Sequence, residues 1–356
     1  MTRGYRNPWD SRLSLGEGVI SPATVQNGQD GSPHVRRHCR CRYPARRISG
    51  PFRGDAAALV FLSSPVSKMA DHRFDQAFVR GLRERGLEEG RNVVIERRSA
   101  EDRYDRLPQL MQELVAASVD VIVAFGPAVG AAWRATRRIP IVAVATDGLV
   151  ELGAVASLSR PGGNVTGLTA EVDFVEMGSK RLQLLREMAP NVSRLAVLGY
   201  GLVTEEASRR SRFESAARVL GQTIVWAHAR TPQDLRTALA NIERERVNAL
   251  YVEHAPANIA HVREIVDLAA KLKLPSIYEF REGPENGGLM SYGADTAELF
   301  RRAATFVDKI LKGAKPGDLP VEQPARFELV VNRGAAKTLG INIPQTLRER
   351  ADAVIG

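Results

Sequence analysis

Short apolar runs alternate with amphipathic segments along most of this chain, and that alternation leaves it few possible folds. Ala56 to Leu62 reads as a buried strand ending at Ser63-Ser64-Pro65. Asp71 to Arg85 then places Phe74, Phe78 and Leu82 four apart on one helical face, with Gly86 as a stop. A strand over Asn92 to Arg97, a helix over Tyr104 to Ser118 and a fully apolar strand over Val119 to Phe125 follow. Gly126-Pro127-Ala128 turns into a helix running to about Ala135, with Pro127 at an allowed first-turn position. Ile139 to Ala145 is a fourth strand, closed by Thr146-Asp147-Gly148. Strands and helices at this spacing predict a parallel sheet covered by helices on both faces.

The alternation stops at Ser157 to Thr169, which reads Ser-Leu-Ser-Arg-Pro-Gly-Gly-Asn-Val-Thr-Gly-Leu-Thr, and then resumes. Pro161 stiffens this stretch, Gly162 and Gly163 open backbone angles closed to other residues, and Val165 to Thr169 has strand composition. We read it as a hinge between two α/β lobes, with Gly167 at its strand; an ordinary loop with a glycine helix cap is the alternative. Beyond it, helices over 173–189, 204–220 and 259–272 alternate with strands over 194–198, 222–226, 249–252 and 275–278. Thr231-Pro232-Gln233-Asp234 starts a further helix close to a capping box.

A second Pro and Gly crossing is predicted at Glu282 to Gly288, with Gly287 and Gly288 as hinge residues, before a strand at 289–292 and a helix at 296–311. A third is predicted at Lys312 to Pro320, and a late strand at 327–331 precedes two short helices. The predicted architecture is α/β, two doubly wound Rossmann-like lobes with a ligand cleft between them and three hinge crossings. The expected division is a disordered Arg-rich tail at 1–54, a first lobe from 55–168 plus 283–313, and a second from 169–282 plus 314–356.

Charge separates the tail from the body. Of a net charge of +9, residues 1 to 54 supply a surplus of seven, ten Arg against Asp10, Glu17 and Asp30, so the remainder is close to neutral. A nucleic-acid-binding body would need a basic face to neutralise several phosphates, so no specific nucleic-acid partner is expected. Cys39 and Cys41, the only cysteines, leave the body without thiol or disulfide chemistry. With His38 they form a weak metal pattern, and no metal site is predicted.

No run reaches the length of a membrane helix, and residues 1 to 54 show no continuous apolar core of a secretory signal. The chain also carries no Gly-x-x-x-x-Gly-Lys-Ser/Thr phosphate loop, no Gly-x-Ser-x-Gly elbow and no Gly-x-Gly-x-x-Gly after its first strand. No cofactor and no catalytic residue are therefore predicted.

What the sequence offers instead is small and polar residues at the C-terminal ends of strands, where open parallel sheets bind ligands. In the first lobe these candidates are Ser63, Ser64, Gly126, Ala128, Thr146 and Asp147; in the second they are Gly199, Tyr200, Glu253, His254, Tyr278 and Glu279. Helices starting after such loops suit a carboxylate, Asp147 or Glu279 an ammonium group, and Tyr200 or Tyr278 a stacked apolar portion.

A series of phrases then carries a resemblance. Val-Phe-Leu-Ser-Ser (60 to 64), Phe-Val-Arg-Gly-Leu-Arg-Glu-Arg-Gly-Leu-Glu-Glu-Gly-Arg-Asn-Val (78 to 93) and Tyr-Asp-Arg-Leu-Pro (104 to 108) come first. Ala-Ser-Leu-Ser-Arg-Pro-Gly-Gly-Asn-Val-Thr-Gly (156 to 167) and Gly-Gly-Leu-Met-Ser-Tyr-Gly (287 to 293) follow. Ile-Leu-Lys-Gly-Ala-Lys-Pro-Gly-Asp-Leu-Pro-Val-Glu-Gln-Pro (310 to 324) and Phe-Glu-Leu-Val-Val-Asn (327 to 332) complete the series. In this order, over roughly residues 57 to 354, the chain resembles the ABC-transporter substrate-binding proteins whose better-known members bind aromatic amino acids.

The resemblance implies a periplasmic-binding-protein fold of the first type, closing on an amino-acid-like or aromatic-acid ligand and presenting it to ABC permease subunits, as a monomer. It implies a periplasmic location, whereas a chain truly starting at Met1 is expected in the cytoplasm, because relatives begin with a signal peptide where this chain has its Arg-rich tail. Phe-Gly-Pro-Ala at 125 to 128 also departs from relatives, which tend to have a small polar residue after the glycine. The competing classes are a ligand-sensing regulator on the same body fold, which lacks a helix-turn-helix pattern here, and a two-lobed α/β enzyme such as a glycosyltransferase.

Overall fold

The computed structural model describes residues 57–63, 68–100, 104–146, 148–170, 174–200, 207–229 and 231–356. The expected tail, with Cys39 and Cys41, lies outside them, as do Ser64 and Asp147.

The first half builds β1 (Ala57–Ser63), α1 (Lys68–Arg83), β2 (Val93–Ser99), α2 (Leu107–Ala116), β3 (Val121–Phe125), α3 (Pro127–Ala135), β4 (Ile141–Val144) and β5 (Val165–Gly167). These strands form one sheet in the order β2-β1-β3-β4-β5, parallel throughout. Parallel pairing requires a crossover on a face after each strand, so central strands are covered on both sides. All five residues of β3 are accordingly buried, which explains its unbroken apolar run.

The second half builds α4 (Phe174–Met188), β6 (Arg194–Tyr200), α5 (Ala207–Val219), β7 (Thr223–Ala229), α6 (Pro232–Arg244), β8 (Ala249–Val252), α7 (Pro256–Ala260), α8 (Val262–Lys271), β9 (Ser276–Tyr278), α9 (Glu282–Glu285) and β10 (Met290–Ala294). Then come α10 (Thr296–Leu311), β11 (Phe327–Asn332), α11 (Arg333–Thr338), α12 (Gln345–Arg350) and β12 (Ala353–Ile355). Their sheet runs β12-β11-β10-β9-β8-β6-β7, with β11 antiparallel to β10. Read from β7 to β10, it repeats the strand order of the first sheet.

The expected capping box at α6 is present. Thr231 Oγ1 accepts from Asp234 N at 3.1 Å, and Asp234 Oδ2 accepts from Thr231 N at 3.1 Å.

The repeated order locates the crossings. β5 leads into the first, which begins at Leu168. β10 holds the equivalent place in the second sheet, pairing with β9 and β11, so the second crossing follows it at 294–296. Placing it at Glu282 to Gly288 is therefore corrected: the backbone groups of 290–294 are satisfied inside the second sheet, and only α10 returns to the first lobe, where it packs on α1 and β4. Gly287 and Gly288 belong to the second lobe, not to a hinge.

The third crossing, expected at Lys312 to Pro320 with the second lobe resuming at 314, is corrected to follow Leu319 and Val321, which remain tied to the first lobe through Thr166 Oγ1 to Leu319 O at 2.7 Å and Val321 N to Leu158 O at 2.7 Å. It runs beside the first crossing, with Glu322 N donating to Gly167 O at 2.8 Å and Thr169 N to Glu322 O at 3.0 Å. Arg302 of α10 adds an ion pair to Glu322.

Among the three earlier hinge glycines, Gly167 sits at the base of the first crossing. A Cβ on it would stand 2.0 Å from Ala143 O, and its φ of +134° favours glycine. Gly162 and Gly163 lie upstream of β5 and brace the turn at 316–318, with Gly162 N donating to Gly317 O at 3.1 Å. That position inside the first lobe corrects their assignment to the hinge.

Candidate functional site

Parallel sheets send every strand end of one kind to the same edge, and in this chain the two such edges meet. The contact is aromatic and apolar. Phe125, last in β3, lies edge-on to His254, two residues past β8, with ring centroids 5.9 Å apart. Behind Phe125, Phe74 and Phe300 stack at 5.0 Å. Behind His254, Phe280 lies at 6.4 Å. Buried apolar residues of both sheets form one contiguous cluster through this point.

Gly126 makes the approach possible. Its φ of 59° and ψ of −132° lie in a region essentially restricted to glycine, and a Cβ there would stand 2.7 Å from Pro256 Cγ at the start of α7. Gly126 N donates to Thr146 Oγ1 at 3.1 Å, and that hydroxyl donates to Val144 O at 3.0 Å. Thr146 thus joins the ends of β3 and β4. Ala145 beside it has a φ of 46°, unusual for a residue with a Cβ. Ala128 is fully buried in the first-lobe core, which corrects its placement as a ligand contact. Pro127 at the start of α3 has no N–H, so this helix offers a carboxylate one donor fewer than a typical first turn.

The second lobe supplies charge. Glu279 Oε1 accepts from Arg181 Nη1 at 2.7 Å and from the Tyr251 hydroxyl, while Oε2 accepts from His254 N at 2.6 Å. Arg181 Nε donates to Tyr292 O at 2.7 Å. The Arg181 and Glu279 side chains are 2% and 5% exposed, so the pair is shut off from solvent. Glu279 is therefore corrected from an ammonium ligand to the anchor of the turn after β8, since its charge is already matched by Arg181.

Tyr278 is also corrected. Its ring is buried against the backbone at Gly283 and Gly288, where Cβ atoms would stand 2.2 Å and 2.4 Å from ring atoms, and burial pushes its hydroxyl pKa up. It is not placed to stack on a ligand. Glu253 is buried, and its carbonyl accepts from Asn258 Nδ2 at 2.9 Å. Ser63, Gly199 and Tyr200 end β1 and β6 as expected.

His254 is the titratable group nearest the junction. Burial is the main force on its imidazole and pushes the pKa down to about 4 despite nearby Glu279, so the ring is neutral at physiological pH. Its Nε2 lies 3.3 Å from Thr296 Oγ1 at the second crossing. The site therefore offers a neutral imidazole, an aromatic floor and neutral polar groups from both lobes.

Sequence reasoning missed Arg181, Pro256 and Phe125. Arg181 alone left a signal: it shares the apolar face of α4 with Leu185 and Met188, where an arginine needs a buried partner. Among the described residues, no helix is long and apolar enough to cross a membrane, and no three His, Cys, Asp or Glu are grouped to hold a metal ion.

Comparison with known proteins points one way. The family described as ABC transporter substrate binding protein matches residues 59–355. A tyrosine-binding protein from Clostridioides difficile (strain R20291) is 25% identical over 282 residues, covering 77% of this chain and 79% of the relative. Among solved structures, a conserved domain protein from Vibrio cholerae is 28% identical with a TM-score of 0.76, covering 84% of this chain and 99% of the other. A domain from Streptococcus pneumonia in complex with L-Trp is 24% identical with a TM-score of 0.76, covering 84% of this chain and all of the other.

Proposed function

From its membership of the ABC transporter substrate-binding protein family, a family of solute-binding proteins rather than enzymes, we propose that this chain is the receptor of an ABC importer for an amino acid with an aromatic or apolar side chain. It closes on that ligand and delivers it to permease subunits, acting as a periplasmic monomer.

The observation that carries the reading is the junction of the two strand-end edges at Phe125 and His254. A ligand held there touches both lobes, so its binding energy favours closure, and a permease can read the closed shape. The aromatic floor suits an apolar or aromatic side chain. The tyrosine-binding relative and the L-Trp complex support an amino-acid ligand.

Thermal unfolding of the full chain against the twenty amino acids and a set of aromatic carboxylates tests this. A ligand bound only by the folded state raises the melting temperature with concentration, by about 2.7 kcal/mol of stability at a hundred times Kd. L-tyrosine or L-tryptophan is expected to shift the transition and to be recovered unchanged. Absence of a shift across the set removes the ligand class; consumption of the ligand replaces the receptor with an enzyme.

A further inference from the structure

Outside the junction, one cluster of charges joins the lobes. Arg73 stands on α1, which Phe74 and Phe300 tie to α10 in the first lobe. Glu282 and Glu285 stand on α9, which packs on β9, β10 and β11 in the second. Arg73 Nη1 donates to Glu285 Oε2 at 2.9 Å and to Glu282 Oε1 at 3.3 Å. Within the second lobe, Arg281 donates to Glu285 Oε1 at 2.7 Å and to Glu328 Oε2 at 2.9 Å.

Without Arg73, this surface carries Glu282, Glu285 and Glu328 against Arg281, with Asp295 close enough to act on Glu282. The Glu282 side chain is 12% exposed; burial raises its pKa, and Arg73, from the other lobe, is the main charge acting against that rise. Opening the cleft would withdraw that cation and leave like charges facing one another.

We propose that Arg73 is an electrostatic latch: by bridging Glu282 and Glu285 it keeps part of the ligand-free population closed and slows ligand release. For the release rate, the inference rests on the receptor reading; for the closed population it stands without it. Arg73 is 38% exposed at its side chain, so salt screens the latch and its effect is modest.

The test is a distance measurement on the full chain carrying Cys39→Ser and Cys41→Ser, with spin labels at Gln109→Cys on α2 and Arg244→Cys on α6. At low ionic strength and without ligand, the parent is expected to show a short-distance population that Arg73→Ala reduces about two- to fivefold. Glu285→Gln should reduce it in the same direction, Arg73→Lys should retain more of it, and 0.5 M salt should bring the parent to the Arg73→Ala distribution. Superimposable distributions for the parent, Arg73→Ala and Glu285→Gln, with melting temperatures showing all three folded, overturn the latch. L-tyrosine and L-tryptophan release by stopped flow is expected to be faster in Arg73→Ala by a similar factor. If the parent binds neither, the ligand class falls while the distances still decide the latch.

Discussion

The two lobes share a strand order and differ in what they place at equivalent positions. Just past β3 and β4, the first lobe places Gly126 and Thr146, held by neutral hydrogen bonds and a left-handed Ala145. At the corresponding ends of β8 and β9, the second lobe places a buried ion pair whose acceptor also fixes the His254 backbone. One side is shaped by backbone conformation, the other by charge. The lesson is that topology fixes where a site lies, while side chains decide how rigidly each wall is built. The second-lobe wall should therefore fail by losing stability and the first by losing the fit between lobes.

The largest break is expected from Arg181→Ala, which leaves Glu279 buried without its cation. The loss should be about 3–5 kcal/mol, read by urea unfolding, since breaking a buried pair strands a charge. A loss under ~1 kcal/mol would show that the Glu279 side chain reaches solvent once Arg181 is gone, and the contrast between walls would collapse.

Acid comes next. The His254 pKa falls from 6.5 unfolded to about 4 folded, so the unfolded state binds the extra proton between these values. The stability tied to the neutral ring is fully present above pH 6.5 and is lost as pH falls toward 4. The ring is enclosed but the residue keeps some exposed edge, so we expect roughly 2–3 kcal/mol. Subtracting the pH–stability curve of His254→Gln from that of the parent should isolate it; parallel curves across pH 4 to 6.5 would contradict the assignment.

Gly126→Ala sharpens the comparison. Its backbone strain should cost about 1–3 kcal/mol, whereas the collision with Pro256 should weaken ligand binding beyond what stability predicts. Pro256→Ala in the same chain should recover part of the affinity and none of the strain, measured by calorimetry and thermal unfolding together. The smallest effect is expected from Thr146→Val, about 1 kcal/mol from the lost hydrogen bond to Gly126 N, again read by urea unfolding.

The sequence was most legible where structure is local. The apolar runs at 57–63, 121–125 and 249–252 are strands, the periodic segment at 71–85 falls in a helix up to Arg83 and that at 296–311 falls wholly in one, because burial on one face or both writes a period into the chain. Of the glycine and proline punctuation at 157–169, only Gly167 stands at the base of the first crossing. Such punctuation misled at 282–288, where the same residues close a turn over Tyr278, because a glycine needed for close packing looks like a glycine needed for a hinge. The short strand β12 carries no alternation strong enough to announce itself.

At the site, position was legible and orientation was not. The expected residues do lie at strand ends, yet Glu279 turns onto Arg181, 98 residues away, and Tyr278 turns under a glycine loop.

By itself, the sequence determined the α/β alternation and its repetition after residue 170, since both follow from the spacing of near neighbours in the chain. Only the tertiary structure decided which sheet takes β10, which carboxylates are already paired, and that Gly126 meets Pro256 and Arg73 meets Glu282. Those outcomes depend on distances between segments tens to hundreds of residues apart, and such distances exist only once the chain has closed on itself.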